Sequence, residues 1–175
     1  MEKLELIAPS LEDAERVKEY RASFPRDRKR VTLNEERIPG LDHLEEFETV
    51  EAWLRFTDEM RGKISWFMTL RKPDQKAVGF VCIRHALRYD DDTGDFSSHI
   101  GYSIRPEERG KGYGKEQLRL ALIKAREIGL RRVRIICVDT NERSKKTILG
   151  NGGVMLDQLR GEESGLTVCR FDVSL

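Results

Sequence analysis

Hydrophobic positions recur along this chain with two different spacings, and each spacing predicts one type of element. Near the N-terminus, Ser10 and Asp13 are spaced to cap the first turn of a helix. Four apolar residues then share one helical face: Leu11, Ala14, Val17 and Tyr20. Residues 64–70 and 77–83 are instead rich in β-branched and aromatic side chains, and Lys72-Pro73-Asp74 lies between them. This second pattern predicts a β-hairpin.

The same analysis continued to the C-terminus predicts the element order β-α-α-β-β-β-α-β-α-β-β. A strand over about 96–104 precedes a helix whose apolar face repeats at helical spacing and which ends at Gly129. A buried strand over 133–138, a short helix over 141–149 and a final hairpin over 154–173 follow. Because an antiparallel meander leads into a β-α-β crossover, we predict an α/β fold with a mixed sheet, in a single domain over residues 1–175.

Composition excludes several classes of protein. The 175 residues are 38% hydrophobic and 36% charged, which suits a folded domain, and the net charge of +1 does not favour nucleic-acid binding. No apolar run approaches the roughly 20 residues of a membrane span, and the N-terminus lacks the apolar core of a signal peptide, so we expect a cytoplasmic protein. The cysteines Cys82, Cys137 and Cys169 lack metal-ligand spacing and are predicted to be reduced thiols, with no metal bound.

A glycine-rich turn between a strand and a helix is the main candidate for binding chemistry. Gly110, Gly112 and Gly114 precede the helical pattern, where free backbone N–H groups at a positive helix end would bind an anion. A dinucleotide fingerprint requires G-x-G-x-x-G, but the spacing here is G-x-G-x-G. A Walker phosphate loop requires a hydroxyl residue after its Lys, but Glu116 follows Lys115.

The segment from Arg109 to Gly114 fits the pattern [QR]-x-x-G-x-[GA], and a second motif extends from Asn141 to Gly153. Together with the element order, these motifs resemble the GNAT family of N-acetyltransferases over about residues 4–173. The resemblance implies a GNAT-like acyl-CoA N-acyltransferase fold. It also implies transfer of an acetyl group from acetyl-CoA to a small-molecule or peptide amine, by direct attack in a ternary complex. Neither nucleic acid nor membrane is an expected partner, and homodimers are common among relatives.

The resemblance also implies positions for the donor. The pyrophosphate would lie on the amides of residues 109–114, and the pantetheine arm would pair with the strand edge near Tyr102 and be bonded by Asn141. The N–H of Ile104 would polarise the thioester carbonyl. For Tyr113 and Lys111 the alternatives are packing and solvation. The implied donor-binding residues are Tyr102, Ile104, Arg109, Gly110, Lys111, Gly112, Tyr113, Gly114, Lys115, Asn141 and Ser144.

Two catalytic groups are not identified by the family pattern. Relatives often carry a Tyr that protonates the departing thiolate, but Ile148 occupies that position here. Tyr102, Ser144 and a water are the remaining candidates for this acid. For the general base, His99 and His85 are the candidates because their unperturbed pKa suits proton transfer. Asp139 either faces the cleft or caps the next helix.

Other activities remain open at this point. The replacement at Ile148 leaves a non-catalytic acyl-CoA-binding module as one alternative. An N-acyltransferase for a longer acyl-CoA and a nucleotide-dependent enzyme using the glycine turn are the others. Residues 25–62 and the final hairpin are predicted to build the acceptor site, but the sequence does not identify the amine. The basic run at 26–30 predicts a solvated face, and the acidic loop at 90–94 is a poor metal site.

Overall fold

The computed structural model describes residues 2–24, 37–87, 97–161 and 165–175. The basic run at 26–30, the acidic loop at 90–94 and most of the last hairpin turn lie outside these residues. The predicted order is confirmed: β1 Leu4–Ile7, α1 Ala14–Ala22, α2 Val50–Glu59, β2 Ile64–Arg71, β3 Lys76–Arg84, β4 Ile100–Ile104, α3 Tyr113–Glu127, β5 Arg132–Val138, α4 Glu142–Leu149, β6 Val154–Arg160 and β7 Thr167–Ser174. Short 3-10 helices occupy Leu11–Asp13, Leu44–Glu46 and Pro106–Glu108.

Local capping chemistry explains why the helices begin close to their predicted positions. The backbone N–H of Ser10 donates to Asp13 Oδ2 at 2.9 Å, as the capping-box spacing predicts. Thr49 Oγ1 accepts from the N–H of Ala52 at 3.1 Å at the start of α2. Leu11 differs from its prediction, because its side chain is 49% exposed rather than buried. It lies in the 3-10 turn before α1, where the helical spacing does not yet apply.

The strands form two antiparallel sheets, in the orders β1-β2-β3-β4 and β5-β7-β6. The α/β class is confirmed, but within the described residues no ladder joins β4 to β5 into one continuous sheet. The two strands meet near their N-terminal ends, where the N–H of His99 donates to the carbonyl of Arg134 at 2.8 Å. β4 forms its ladder with β3, and β5 forms its ladder with β7. Each of these ladders lies on the edge of the strand that faces away from the other strand. Beyond this point, no strand among the described residues pairs with the facing edge of β4.

Two main apolar clusters hold these layers together. One lies between the four-stranded sheet and helices α1 and α2, and includes Tyr20, Trp53 and Phe80. The other packs α3 and α4 against both sheets, and includes Leu118 and Phe171. Because α3 contacts β1, β3 and β4, the N-terminus of this helix is held at the end of β4.

The segment over residues 37–47 lies across β3 and β4. Ser103 Oγ on β4 donates to the carbonyl of Pro39 at 2.5 Å. Gly40 approaches so closely that a Cβ there would lie 2.4 Å from the carbonyl oxygen of Phe80. The carboxylate of Asp42 pairs with the guanidinium of Arg84 at the end of β3. The structure thus places part of the predicted acceptor segment against the strand that carries the predicted donor edge.

Candidate active site

The glycine-rich turn leads directly into α3, as the sequence predicts. Gly110 and Gly112 have φ angles of 82° and 84°, a conformation that favours glycine. Gly112 is the N-cap residue, and the first helical bond runs from the N–H of Glu116 to its carbonyl at 3.3 Å. The N–H groups from Gly112 to Lys115 therefore have no acceptor within the helix. Their alignment at the positive end of a 15-residue helix favours the binding of an anion.

The unpaired edge of β4 lies next to this turn. The N–H of Arg105 donates to the carbonyl of Val78 at 2.9 Å, so alternate residues of β4 direct their backbone groups towards β3. The register Gly79↔Ile104 then makes Tyr102 and Ile104 the residues whose N–H and C=O point away from β3. Arg109 Nε donates to the carbonyl of Ile104 at 3.1 Å. The N–H of Ile104 thus faces the open edge, and its role towards a thioester stays a prediction.

Tyr102, Ser144 and Asn141 come together on the other side of this opening. The hydroxyls of Tyr102 and Ser144 are 2.8 Å apart, and burial raises the pKa of Tyr102 to about 12. Tyr102 is therefore protonated at neutral pH. Asn141 Oδ1 accepts from the N–H of Ser144 at 3.1 Å, so Asn141 is the N-cap of α4. Asp139 does not cap this helix, and its Oδ1 accepts instead from Lys145 Nζ at 2.8 Å.

Lys111 is engaged by a carboxylate. Its Nζ lies 2.6 Å from Glu108 Oε2, and Glu108 is only 3% exposed. Arg71 Nη1 and Lys76 Nζ bind the same carboxylate at 3.2 Å and 2.9 Å. Burial alone would raise the pKa of Glu108, but the hydrogen bonds from Lys111 and Lys76 outweigh it and hold the pKa at about 2. Glu108 is therefore ionised at neutral pH and connects the turn to the β2–β3 hairpin.

Tyr113 and Lys115 occupy different surroundings at the start of α3. Tyr113 is 3% exposed, and its hydroxyl donates to the carboxylate of Glu2. This geometry favours packing for the Tyr113 side chain, while its backbone N–H belongs to the anion site. Lys115 is exposed, and its carbonyl accepts from Asn151 Nδ2 at 3.1 Å. Lys115 is also the last of the residues from Gly112 onwards whose backbone N–H has no acceptor within α3.

The two candidate bases occupy separate positions. His99 Nδ1 accepts from the N–H of Arg134 at 2.8 Å where β4 meets β5. Burial and the nearby charge of Arg134 lower the pKa of His99. Its lone pair is thus used to join the two strands. His85 Nε2 lies 2.9 Å from Ser65 Oγ on β2. Both residues stay predictions as bases, and the geometry of His99 favours a connecting role.

Ile148 lies in the core rather than at the opening. Its side chain is 0% exposed and packs in the cluster that contains Leu118 and Ile135. A Cβ on Gly153 would lie 2.5 Å from Ile148 Cγ2, so the following turn closes over it. Isoleucine has no proton to donate, so the predicted candidates for the leaving-group acid stay Tyr102, which lies on β4, and Ser144, whose hydroxyl contacts that of Tyr102.

Two paired groups near the site were not singled out from the sequence. Glu108 belongs to the turn motif, and its spacing of three residues from Lys111 is a weak signal of an ion pair. Its burial depends on Arg71 and Lys76, which no local pattern connects to it. Asp42 and Arg84 are 42 positions apart in sequence, so their ion pair follows from the tertiary structure.

Within the ranges the structure describes, no group of three or more His, Cys, Asp or Glu residues is arranged to hold a metal ion. The helices in those ranges include none that is both long and apolar enough to cross a bilayer.

Comparisons with known proteins agree with this geometry. Solved structures with the same fold include a ribosomal-protein α-N-acetyltransferase in complex with coenzyme A, 14% identical with a TM-score of 0.71, covering 98% of this chain and 94% of that one. A ribosomal-protein alanine acetyltransferase from Vibrio fischeri is 19% identical, with a TM-score of 0.64 and coverage of 99% and 94%. A chimera of the Vibrio cholerae spermidine N-acetyltransferase is 15% identical, with a TM-score of 0.67 and coverage of 98% and 95%.

No protein with a curated function is significantly similar to the chain in sequence. The family model described as an acetyltransferase (GNAT) domain matches residues 3–154, which include the glycine-rich turn, the open edge of β4 and the start of α4. The chain therefore belongs to the GNAT family of acetyltransferases.

Proposed function

We propose that the protein transfers an acetyl group from acetyl-CoA to an amine in a ternary complex. The observation that carries the proposal is the unpaired edge of β4, with the N–H of Ile104 directed outward, next to the free N–H groups that begin α3. Both sites lie on one side of the molecule, where a donor that carries a phosphate and a carbonyl would meet backbone N–H groups at each. The complex of a structural neighbour with coenzyme A supports the same donor.

Residues of the turn would bind the donor through the backbone. Gly112 and Gly114 allow the backbone of the turn to approach phosphate oxygens, and the N–H groups up to Lys115 would donate to them. Tyr102, further along the same edge of β4, offers its outward N–H and C=O to a bound ligand, as a neighbouring strand would. The Asn141 amide lies across the opening, with its Oδ1 already bound to Ser144.

The acetyl transfer needs polarisation of the carbonyl and a proton for the leaving group. Acetyl-CoA supplies a thioester: the amine forms the new C–N bond while the C–S bond breaks. The N–H of Ile104 would donate to the carbonyl oxygen as negative charge develops there. Ser144 would provide the proton for sulfur, since its hydroxyl is hydrogen-bonded to that of Tyr102, which is protonated at neutral pH.

The amine must also lose a proton. His85 is the less constrained of the two predicted histidines, because its Nε2 lies beside the hydroxyl of Ser65, whereas the lone pair of His99 Nδ1 accepts from the N–H of Arg134. We propose that His85, directly or through water, accepts the proton and that His99 holds β4 and β5 together. Activity should then show an acidic limb that His85→Ala abolishes and His99→Ala retains.

The acceptor segment favours a peptide amine over a polyamine. A polyamine site needs an excess of negative charge, but three carboxylates of residues 37–47 are neutralised by arginines. Their pairs are Asp42–Arg84, Glu45–Arg21 and Glu46–Arg37. Structural neighbours that act on ribosomal proteins support a protein N-terminus as the acceptor. Because another neighbour is a spermidine N-acetyltransferase, a polyamine is the alternative acceptor to be tested.

A direct test measures acetyl-CoA binding by calorimetry and CoA release with a panel of amines. The panel contains peptides with free N-terminal Ser or Ala, the same peptides with blocked N-termini, and spermidine. We expect release with free peptide N-termini only. A second arm replaces acetyl-CoA by longer acyl-CoAs, for which we expect slower release. Failure of acetyl-CoA to bind would contradict the proposal.

The burial of Ile148 gives one specific reason to retain a non-catalytic acyl-CoA-binding module as the second candidate. The same experiment separates the two functions. Tight binding of acetyl-CoA without release of CoA for any amine of the panel supports the module, whereas turnover above the Ser144→Ala variant supports the enzyme.

A further inference from the structure

The turn between β4 and α3 contains a contact that the anion site does not explain. Lys111 lies between two glycines of positive φ, Gly110 and Gly112. Its Nζ is 2.6 Å from Glu108 Oε2 and thus points to a carboxylate that is almost completely buried. A carboxylate beside a site for phosphate opposes the ligand unless its charge is neutralised and its position serves another purpose.

The surroundings of Glu108 neutralise its charge completely. Its Oε1 binds Lys76 at 2.9 Å, and its Oε2 binds Arg71 at 3.2 Å as well as Lys111. Arg71 also pairs with Asp74 at 2.5 Å, so the cations of this cluster are shared among several carboxylates. Lys111 is therefore not a free cation awaiting a phosphate.

The same contacts fix the turn to the rest of the fold. Arg71 ends β2 and Lys76 begins β3, and the two residues are partners in the β2–β3 ladder. Glu108 belongs to the 3-10 helix just before the turn, so its carboxylate joins the hairpin to Lys111. Two glycines flank Lys111, and without this ion pair the backbone between them has wide conformational freedom. Fixing the turn before binding removes an entropy cost from the binding step.

We propose that Glu108 is a positioning residue for the pyrophosphate turn and that Lys111 acts on the turn through Glu108 rather than as a ligand of the phosphates. This proposal rests on the proposed use of acetyl-CoA. It differs from a model in which Glu108 competes with the phosphates for Lys111. In the competition model, removing the charge of Glu108 frees Lys111 and tightens binding, whereas in the positioning model the same change weakens binding.

The test compares full-length Glu108→Gln, Lys111→Met and the double variant with the original protein. Kd for acetyl-CoA is measured by calorimetry, and KM and kcat are measured by CoA release. We expect each single variant to raise Kd and KM about tenfold and to change kcat less than about twofold. The Kd and KM of the double variant should equal those of the single variants, because both substitutions act through one contact. Glu108→Asp should recover part of the affinity. Glu107→Gln is the matched control, since Glu107 lies on the same 3-10 helix with a side chain 49% exposed.

Acetyl-pantetheine, which lacks the pyrophosphate, gives a readout that a general loss of structure would not produce. The positioning role predicts that kcat/KM for acetyl-pantetheine is the same in all variants. Unchanged or tighter acetyl-CoA binding in Glu108→Gln overturns the proposal, as does additive loss in the double variant. If Glu108→Gln does not fold, Glu108→Asp decides, because the shorter side chain draws the carboxylate away from Lys111 without removing its charge: weaker acetyl-CoA binding supports the proposal, and unchanged or tighter binding overturns it. Absence of acetyl-CoA binding by the original protein would instead refute the proposed function.

Discussion

Gly40 and Gly62 form a natural pair for measuring how tightly the acceptor segment is held against the sheet. Both have positive φ angles, 92° and 89°. A Cβ on Gly40 would lie 2.4 Å from the carbonyl oxygen of Phe80 and 2.6 Å from its carbonyl carbon, whereas nothing lies within 4 Å of a Cβ on Gly62. Substitution by alanine therefore adds the same backbone strain at both positions but a steric clash at only one.

The magnitudes follow from these distances. A left-handed backbone costs a non-glycine residue roughly 1–2 kcal/mol, which applies to both variants. Relief of the clash at Gly40 requires movement of backbone atoms by about 1 Å, with a typical overpacking cost of about 1–3 kcal/mol. The smaller entropy of the unfolded chain after Gly→Ala stabilises both variants equally, so it cancels in the comparison. We expect Gly40→Ala to be less stable than Gly62→Ala by about 1–3 kcal/mol, which corresponds to a Tm difference of roughly 2–12 °C.

Guanidinium unfolding of the two variants measures the difference in the free energy of unfolding. Activity assays add a second measurement: Gly40→Ala should raise KM for the amine, because the segment over 37–47 shifts from β3 and β4, while Kd for acetyl-CoA stays within about twofold. Gly62→Ala should leave both constants unchanged. Equal stability of the two variants would show that the segment is not held against Phe80, and the reasoning from this contact would be wrong.

Three further results are expected. Glu108 has a pKa of about 2, so its ion pairs stabilise the fold above about pH 4.5, and this stability is lost as the pH falls towards 2. In guanidinium unfolding between pH 6 and pH 2, the free energy of unfolding of Glu108→Gln should therefore fall by about 2–3 kcal/mol less than that of the original protein. Parallel curves for the two proteins would contradict this expectation. Ser144→Ala should lower kcat about 10-fold or more with little change in Kd for acetyl-CoA, and Tyr102→Phe should have a smaller effect; an unchanged kcat for Ser144→Ala would remove this residue as the acid. His99→Ala should lower stability by about 1–3 kcal/mol in thermal unfolding, because the half-buried N–H of Arg134 loses its acceptor. Loss of the acidic limb of the pH–rate profile would identify His99 as the base instead.

Predictions that depend on neighbouring residues agree with the structure. The capping pair Ser10 and Asp13, the hairpin of β2 and β3, and the glycine turn before α3 all occupy their predicted places. Each depends on a short stretch of chain, where periodicity, caps and turn residues act locally. The main local miss, the exposure of Leu11, occurs where a 3-10 turn replaces the regular helix.

Predictions about the site agree less completely, because its side chains have partners from distant parts of the chain. The resemblance implies that Lys111 binds the donor, with solvation as the alternative, and the structure pairs its side chain with Glu108. His99 was a candidate base, and the structure directs its Nδ1 to the backbone of Arg134. The sequence contains all of these residues, but their pairing depends on how the hairpin, β4 and β5 meet.

The sequence by itself determined the order of elements and the glycine turn before α3, because the spacing of glycines and apolar residues expresses backbone geometry over a few residues. Only the tertiary structure decided that β4 and β5 separate after His99 and that Tyr102 meets Ser144 across the opening. It also decided that Glu108 is buried among three cations. These features arise from contacts between segments tens of residues apart, whose energies depend on burial and geometry that no local pattern contains.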